Sequence, residues 1–110
     1  MIRLLVPLVL LVVAGCSAPP VADDAGGSGP LELRLSVDEA SPQRFEVVKG
    51  RGVKISVTSK KAVDVHVHGF DKLARAEDGK PAVVEFTADR TGTFDVEAHP
   101  DTLLAQLVVR

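Results

Sequence analysis

From Leu31 onward the chain repeatedly alternates apolar and polar side chains with a period of two, in rows separated by turn-forming clusters. Successive side chains of an extended strand point to opposite faces, so this period forces a half-buried strand wherever it runs. Leu31, Leu33, Leu35 and Val37 alternate with Glu32, Arg34 and Ser36. Val53, Ile55 and Val57 alternate with Lys54, Ser56 and Thr58. Phe94, Val96 and Ala98 alternate with Asp95, Glu97 and His99. Phe45 and Val47 make another short apolar row, Val83, Val84 and Phe86 another, and Leu103 to Val109 closes the pattern. Turns are expected at Asp38–Pro42, Lys49–Gly52, Ser59–Lys61, Glu77–Pro81, Ala88–Gly92 and Pro100–Thr102, where Gly, Pro, Asp and Ser collect. The segment from Phe70 to Pro81 is less regular and reads as a short edge strand or loop rather than a helix. No helical period of any length is present. About seven short strands with turns every eight to twelve residues predict an all-β, Greek-key β-sandwich.

The strand that fixes the register best runs from Ala62 to His68. Val63, Val65 and Val67 share one face, which reads as core. Asp64, His66 and His68 share the other. Two histidines at i and i+2 have Cβ atoms roughly 6.5–7 Å apart and can converge on one ion. The third histidine, His99, follows the Phe94–Ala98 row.

The N-terminus has a different composition. Met1–Arg3 is a short positive start, and Leu4 to Ala14 is an apolar run broken only by Pro7. Eleven residues are too few to span a bilayer, which needs ~20, and fit a secretory h-region. The run ends in Val13–Ala14–Gly15–Cys16, which resembles the lipobox of bacterial lipoproteins. The resemblance implies cleavage before Cys16, diacylation of its sulfur and a palmitate-type anchor to the cell membrane, facing the extracytoplasmic side. Cys16 is the only cysteine, so the exported domain has neither disulfide nor thiolate ligand. Residues 17–30 carry Pro, Gly, Ser, Ala and two Asp with almost no large apolar side chain, and read as a flexible tether. The expected organisation is a removed signal peptide over residues 1–15, a lipidated cysteine and linker over 16–30, and one domain over 31–110.

The full chain carries 13 basic and 15 acidic residues, a net charge of −2, and loss of Arg3 with the leader makes it −3. Charges are interspersed, no basic stripe occurs, and Trp and Tyr are absent. A nucleic-acid partner is therefore not expected.

Phe45–Gly50, Val53–Val57 and the histidine strand resemble the first half of a cupredoxin. Val84–Val96 resembles the stretch that leads to the cupredoxin copper loop, and Leu104–Val109 its last strand. The resemblance implies a cupredoxin-like sandwich over nearly all of Leu31–Arg110. It does not carry over a type-1 copper centre, whose ligands are two histidines, a cysteine thiolate and a weak axial methionine. The cysteine position falls at or near Ala98, His99 follows too early, and the methionine position holds Leu103 or Leu104. The sole methionine is Met1. A blue-copper electron carrier is thus excluded by residue type.

Three imidazoles still suit Cu(II) or Zn(II), so His66, His68 and His99 are the candidate metal ligands. Asp71 or Asp101 could add an oxygen or orient a ring. Such binding needs neutral imidazoles and weakens below about pH 6. The competing reading leaves His66 and His68 on a solvent or inter-loop surface and has His99 hydrogen-bond a backbone carbonyl. No serine or cysteine nucleophile stands in a recognisable motif with these histidines, and no enzymatic activity is expected. The function expected is that of a membrane-anchored, non-enzymatic envelope lipoprotein that holds a divalent metal weakly. The alternative is a metal-free protein-interaction module at the envelope.

Overall fold

The chain forms eight strands in the computed structural model, which describes residue 15 and residues 29–39 and 42–110. Most of the expected leader, the expected lipidation site Cys16, the expected linker up to residue 28, and residues 40–41 of the first turn lie outside the described residues.

The strands are β1 (Leu31–Ser36), β2 (Gln43–Val47), β3 (Gly52–Thr58), β4 (Val63–Val67), β5 (Lys72–Ala76), β6 (Ala82–Thr87), β7 (Gly92–Ala98) and β8 (Thr102–Val109). Seven follow the alternation read from the sequence. The eighth, β5, is the segment expected to be an edge strand or loop. It is an edge strand, paired on one side only with β4. Its irregular reading has a physical cause: an edge needs few buried side chains, so only Ala74 and Ala76 turn inward and Leu73 stays exposed. Among the described residues there is no helix.

The strands make two sheets, one in the order β1-β3-β6 and one in the order β2-β8-β7-β4-β5. β1 runs parallel to β3 and β2 parallel to β8, while the remaining pairs are antiparallel. The chain repeatedly crosses from one sheet to the other, and sequence neighbours such as β3 and β4 lie in different sheets. This is the connectivity of a Greek-key sandwich.

The core is what the alternation requires. Ile55 and Val57 from the small sheet meet Val65, Val67, Val96 and Leu107 from the large one, all fully buried. One irregularity matters for the site. Val96 pairs with Ala105, but Glu97 pairs with Leu103, so Leu104 is an extra residue in β8. This β-bulge lets Leu104 and Ala105 both bury, and it keeps Glu97 on the outer face of the sheet.

Candidate metal centre

β4 and β7 build the site together. Val65 and Val67 are fully buried, so the pleat turns Asp64, His66 and His68 to the outer face of the five-stranded sheet. β7 lies beside β4, with His66 opposite Glu97. The ladder continues past both strand ends: the His68 amide donates to Asp95 O at 2.9 Å, and the His99 amide donates to Asp64 O at 2.8 Å. Asp95, Glu97 and His99 therefore stand on the same outer face as Asp64, His66 and His68.

This register brings the three imidazoles together. The His66 and His68 ring centres are 4.4 Å apart with a tilt of 52°. The His66 and His99 ring centres are 6.0 Å apart and nearly parallel, at 19°. His66 is thus the middle member of a row running diagonally across β4 and β7. The row lies on an open sheet face, where His68 is about half exposed, with a side-chain exposure of 47%.

Glu97 is the carboxylate that touches the row. The His68 ring donates through Nε2 to Glu97 Oε2 at 3.0 Å, which in the neutral ring leaves Nδ1 as the free lone pair. Sequence reasoning named Asp71 and Asp101 for this role instead. Both are exposed turn residues, at opposite ends of the sandwich, and among the described residues neither forms a hydrogen bond with an imidazole. The signal for Glu97 was present in the alternation Asp95–Glu97–His99, but only the pairing of β4 with β7 reveals it. His99 does bond a backbone carbonyl, through its backbone N–H to Asp64 O. Beyond the row, Arg75 reaches Asp64 at 3.1 Å across the β4–β5 pair.

The turn after His68 is held by a close approach. Gly69 has a positive φ of 86°, and a Cβ there would lie 2.4 Å from the Phe94 ring. Asp71 also adopts positive φ, at 52°. Phe70 then packs between Phe86 and Phe94, with ring centres 4.7 and 4.6 Å away, and the Arg90 guanidinium covers Phe70 at 5.2 Å.

As they stand, no three His, Cys, Asp or Glu side chains among the described residues are arranged to hold a metal ion. The donor set of a type-1 copper centre does not fit either. Ala98, where the thiolate would stand, is a buried methyl group, and Leu104 is a buried hydrocarbon.

No family model matches the chain, and no curated protein matches it. Solved structures do match. A copper binding protein, solved in solution in its apo form, superposes with a TM-score of 0.60 at 19% identity, over 72% of this chain and 86% of that one. A copper nitrite reductase from Nitrosomonas europaea gives 0.57 at 13% identity, over 73% of this chain and 41% of its own. A blue copper oxidase from Nitrosomonas europaea gives 0.58 at 10% identity, over 78% and 46%. The fold is cupredoxin-like. The chain spans less than half the length of the two oxidoreductases.

Proposed function

We propose that this chain is an extracytoplasmic, lipid-anchored cupredoxin-like module without catalytic activity, which binds a divalent copper or zinc ion on the outer face of its larger sheet. In this reading His66, His68 and His99 supply the nitrogens, and Glu97 orients His68.

The observation that carries the reading is the imidazole row. Two imidazoles on one ion, each bound through one nitrogen at ~2.0–2.1 Å, keep their ring centres on the order of 4.5–5.5 Å apart. The spacings of 4.4 and 6.0 Å bracket that range. Rotation of partly exposed rings between staggered side-chain conformers is enough to converge them, at little cost in packing. The fold supports the reading less directly, because the likeness to copper proteins lies far below the identity that transfers a ligand set. Three imidazoles without a thiolate suit the handling or delivery of a divalent ion rather than blue-copper electron transfer.

Calorimetric titration of the soluble domain from Gly29 with Cu(II) and Zn(II) tests the reading. Binding of one ion at submillimolar or tighter affinity, lost in His66→Ala, supports it. No heat of binding at millimolar metal overturns it and favours the metal-free interaction module. That second reading has its own support in Leu73, a large apolar side chain 64% exposed on the outer face of β5.

A further inference from the structure

β1 lies at one edge of the three-stranded sheet, with β3 as its single neighbour. Its backbone shows which residues face the free side. In a parallel ladder each residue turns its N–H and its C=O to the same side, and alternate residues turn to opposite sides. The Val37 amide donates to Thr58 O at 2.9 Å, and the Thr58 hydroxyl donates to Leu35 O at 3.4 Å. Leu31, Leu33 and Leu35 therefore bond toward β3. Glu32, Arg34 and Ser36 turn their backbone groups outward, where nothing pairs with them among the described residues. Such a row is a template for another strand.

The side chains on this edge complement themselves. Glu32 and Arg34 are exposed and flank the buried Leu33. Among the described residues neither has an ion-pair partner. The other edges differ. β5 carries charges of one sign only, Lys72 and Arg75, and β6 carries only Glu85. β2 has both signs, Arg44 and Glu46, but Glu46 is engaged by Arg110 Nη2 at 3.4 Å. β1 also lacks the features that block an edge. Its register against β3 is unbroken over Leu31–Ser36, with no bulge, no lysine and no internal proline.

We infer that two copies of this chain join through β1, antiparallel about a two-fold axis at Leu33, so that their three-stranded sheets continue as one. A two-fold axis that keeps both apolar faces on one side of the joined sheet runs the strands antiparallel. Hydrogen bonding then requires outward-facing residues to stand opposite one another. Few registers meet that condition. Glu32 against Glu32, or Arg34 against Arg34, opposes like charges, which disfavours the pairing. Shifts beyond these shorten the overlap. The register between them sets Glu32 against Arg34 of the second copy, and Arg34 against its Glu32. Each pair exchanges both backbone hydrogen bonds and joins opposite charges. Leu31 then meets Leu35 of the second copy, and the two Leu33 side chains meet on the axis. The imidazole rows lie on the other sheet, so pairing does not use them. A strand of six residues falls well short of the ~20–30 residues a side of a lasting interface. The pair is therefore a transient one, formed at high local concentration. The inference rests on neither the metal nor the anchor reading.

The test uses the chain from residue 16 onward with Cys16→Ser, so that neither a lipid nor a disulfide joins two copies. Sedimentation equilibrium and 15N-resolved NMR are followed from micromolar to millimolar concentration. The mass is expected to rise toward that of a dimer. The amides of Glu32 and Arg34 shift and gain exchange protection as it does, while those of Arg44, Glu46 and Arg75 stay unchanged. Glu32→Arg and Arg34→Glu each leave one sign of charge on the edge and weaken association by roughly tenfold. Glu32→Arg/Arg34→Glu in one chain reverses the pattern and restores association. Mixing the two single variants restores it as well, which also shows that each of them folds. A chain that stays monomeric at millimolar concentration overturns the inference. So does association that perturbs the amides of β2 or β5 in place of β1, or a mixture of the single variants that associates no more tightly than either alone.

Discussion

Gly69 shows how much a single residue decides at the head of the site. Its positive φ costs a side chain about 1–2 kcal/mol, and its missing Cβ is the space in which the Phe94 ring lies. Forcing a methyl group against that ring adds overpacking of about 1–3 kcal/mol. Gly69→Ala is therefore expected to destabilise the domain by about 2–5 kcal/mol, read as a lowered urea midpoint with an unchanged slope. A loss below about 0.5 kcal/mol would mean that Phe94 moves aside freely. Next to it, the three histidines are unequal by position. His66 neighbours both other rings, while His68 has Glu97 as a further partner. Their roles were legible only in part from the sequence. The i, i+2 spacing placed His66 and His68 on one face correctly. Glu97 and the approach of His99 depend on which strand lies beside β4, and a one-dimensional pattern does not contain that neighbour.

At the scale of elements, β4 and β5 are adjacent strands with opposite demands. β4 is central, flanked by β7 and β5, and its valines are sealed in the core. β5 is an edge with Leu73 and Arg75 on its outer face and Lys72 exposed at its start. Charged side chains on such an edge discourage pairing with other chains. Val67→Ala is expected to cost about 2 kcal/mol through lost burial and the cavity left behind. Leu73→Ala, on the exposed face of β5, should stay within about 0.5 kcal/mol of the parent. Denaturation of both variants checks the assignment of faces, and similar losses would mean the register is wrong. The strands with buried valine and leucine rows could be read from alternation because half their side chains are sealed in one core. β5 could not, because an edge strand buries too little to impose a period. The bulge at Leu104 was also hidden, since two successive apolar residues fit either a bulge or a regular strand.

At the scale of the whole molecule, the proposed anchor at Cys16 and the proposed tether precede a sandwich whose outer sheet face carries the imidazoles. Cys16→Ser is expected to move the protein from the membrane fraction to the soluble fraction. Retention at the membrane would contradict the anchor. Copper added to the mature chain should give no intense thiolate-derived blue band, because the domain offers no sulfur ligand. The metal claim is tested most directly by watching the rings themselves. Substoichiometric Cu(II) is added to the 15N-labelled domain, and paramagnetic broadening is followed at the histidine ring protons. The account predicts that the His66, His68 and His99 signals broaden together and first, and that His66→Ala abolishes the effect at the other two. Broadening that begins elsewhere, or that leaves His99 sharp while His66 and His68 disappear, would contradict a shared three-imidazole site.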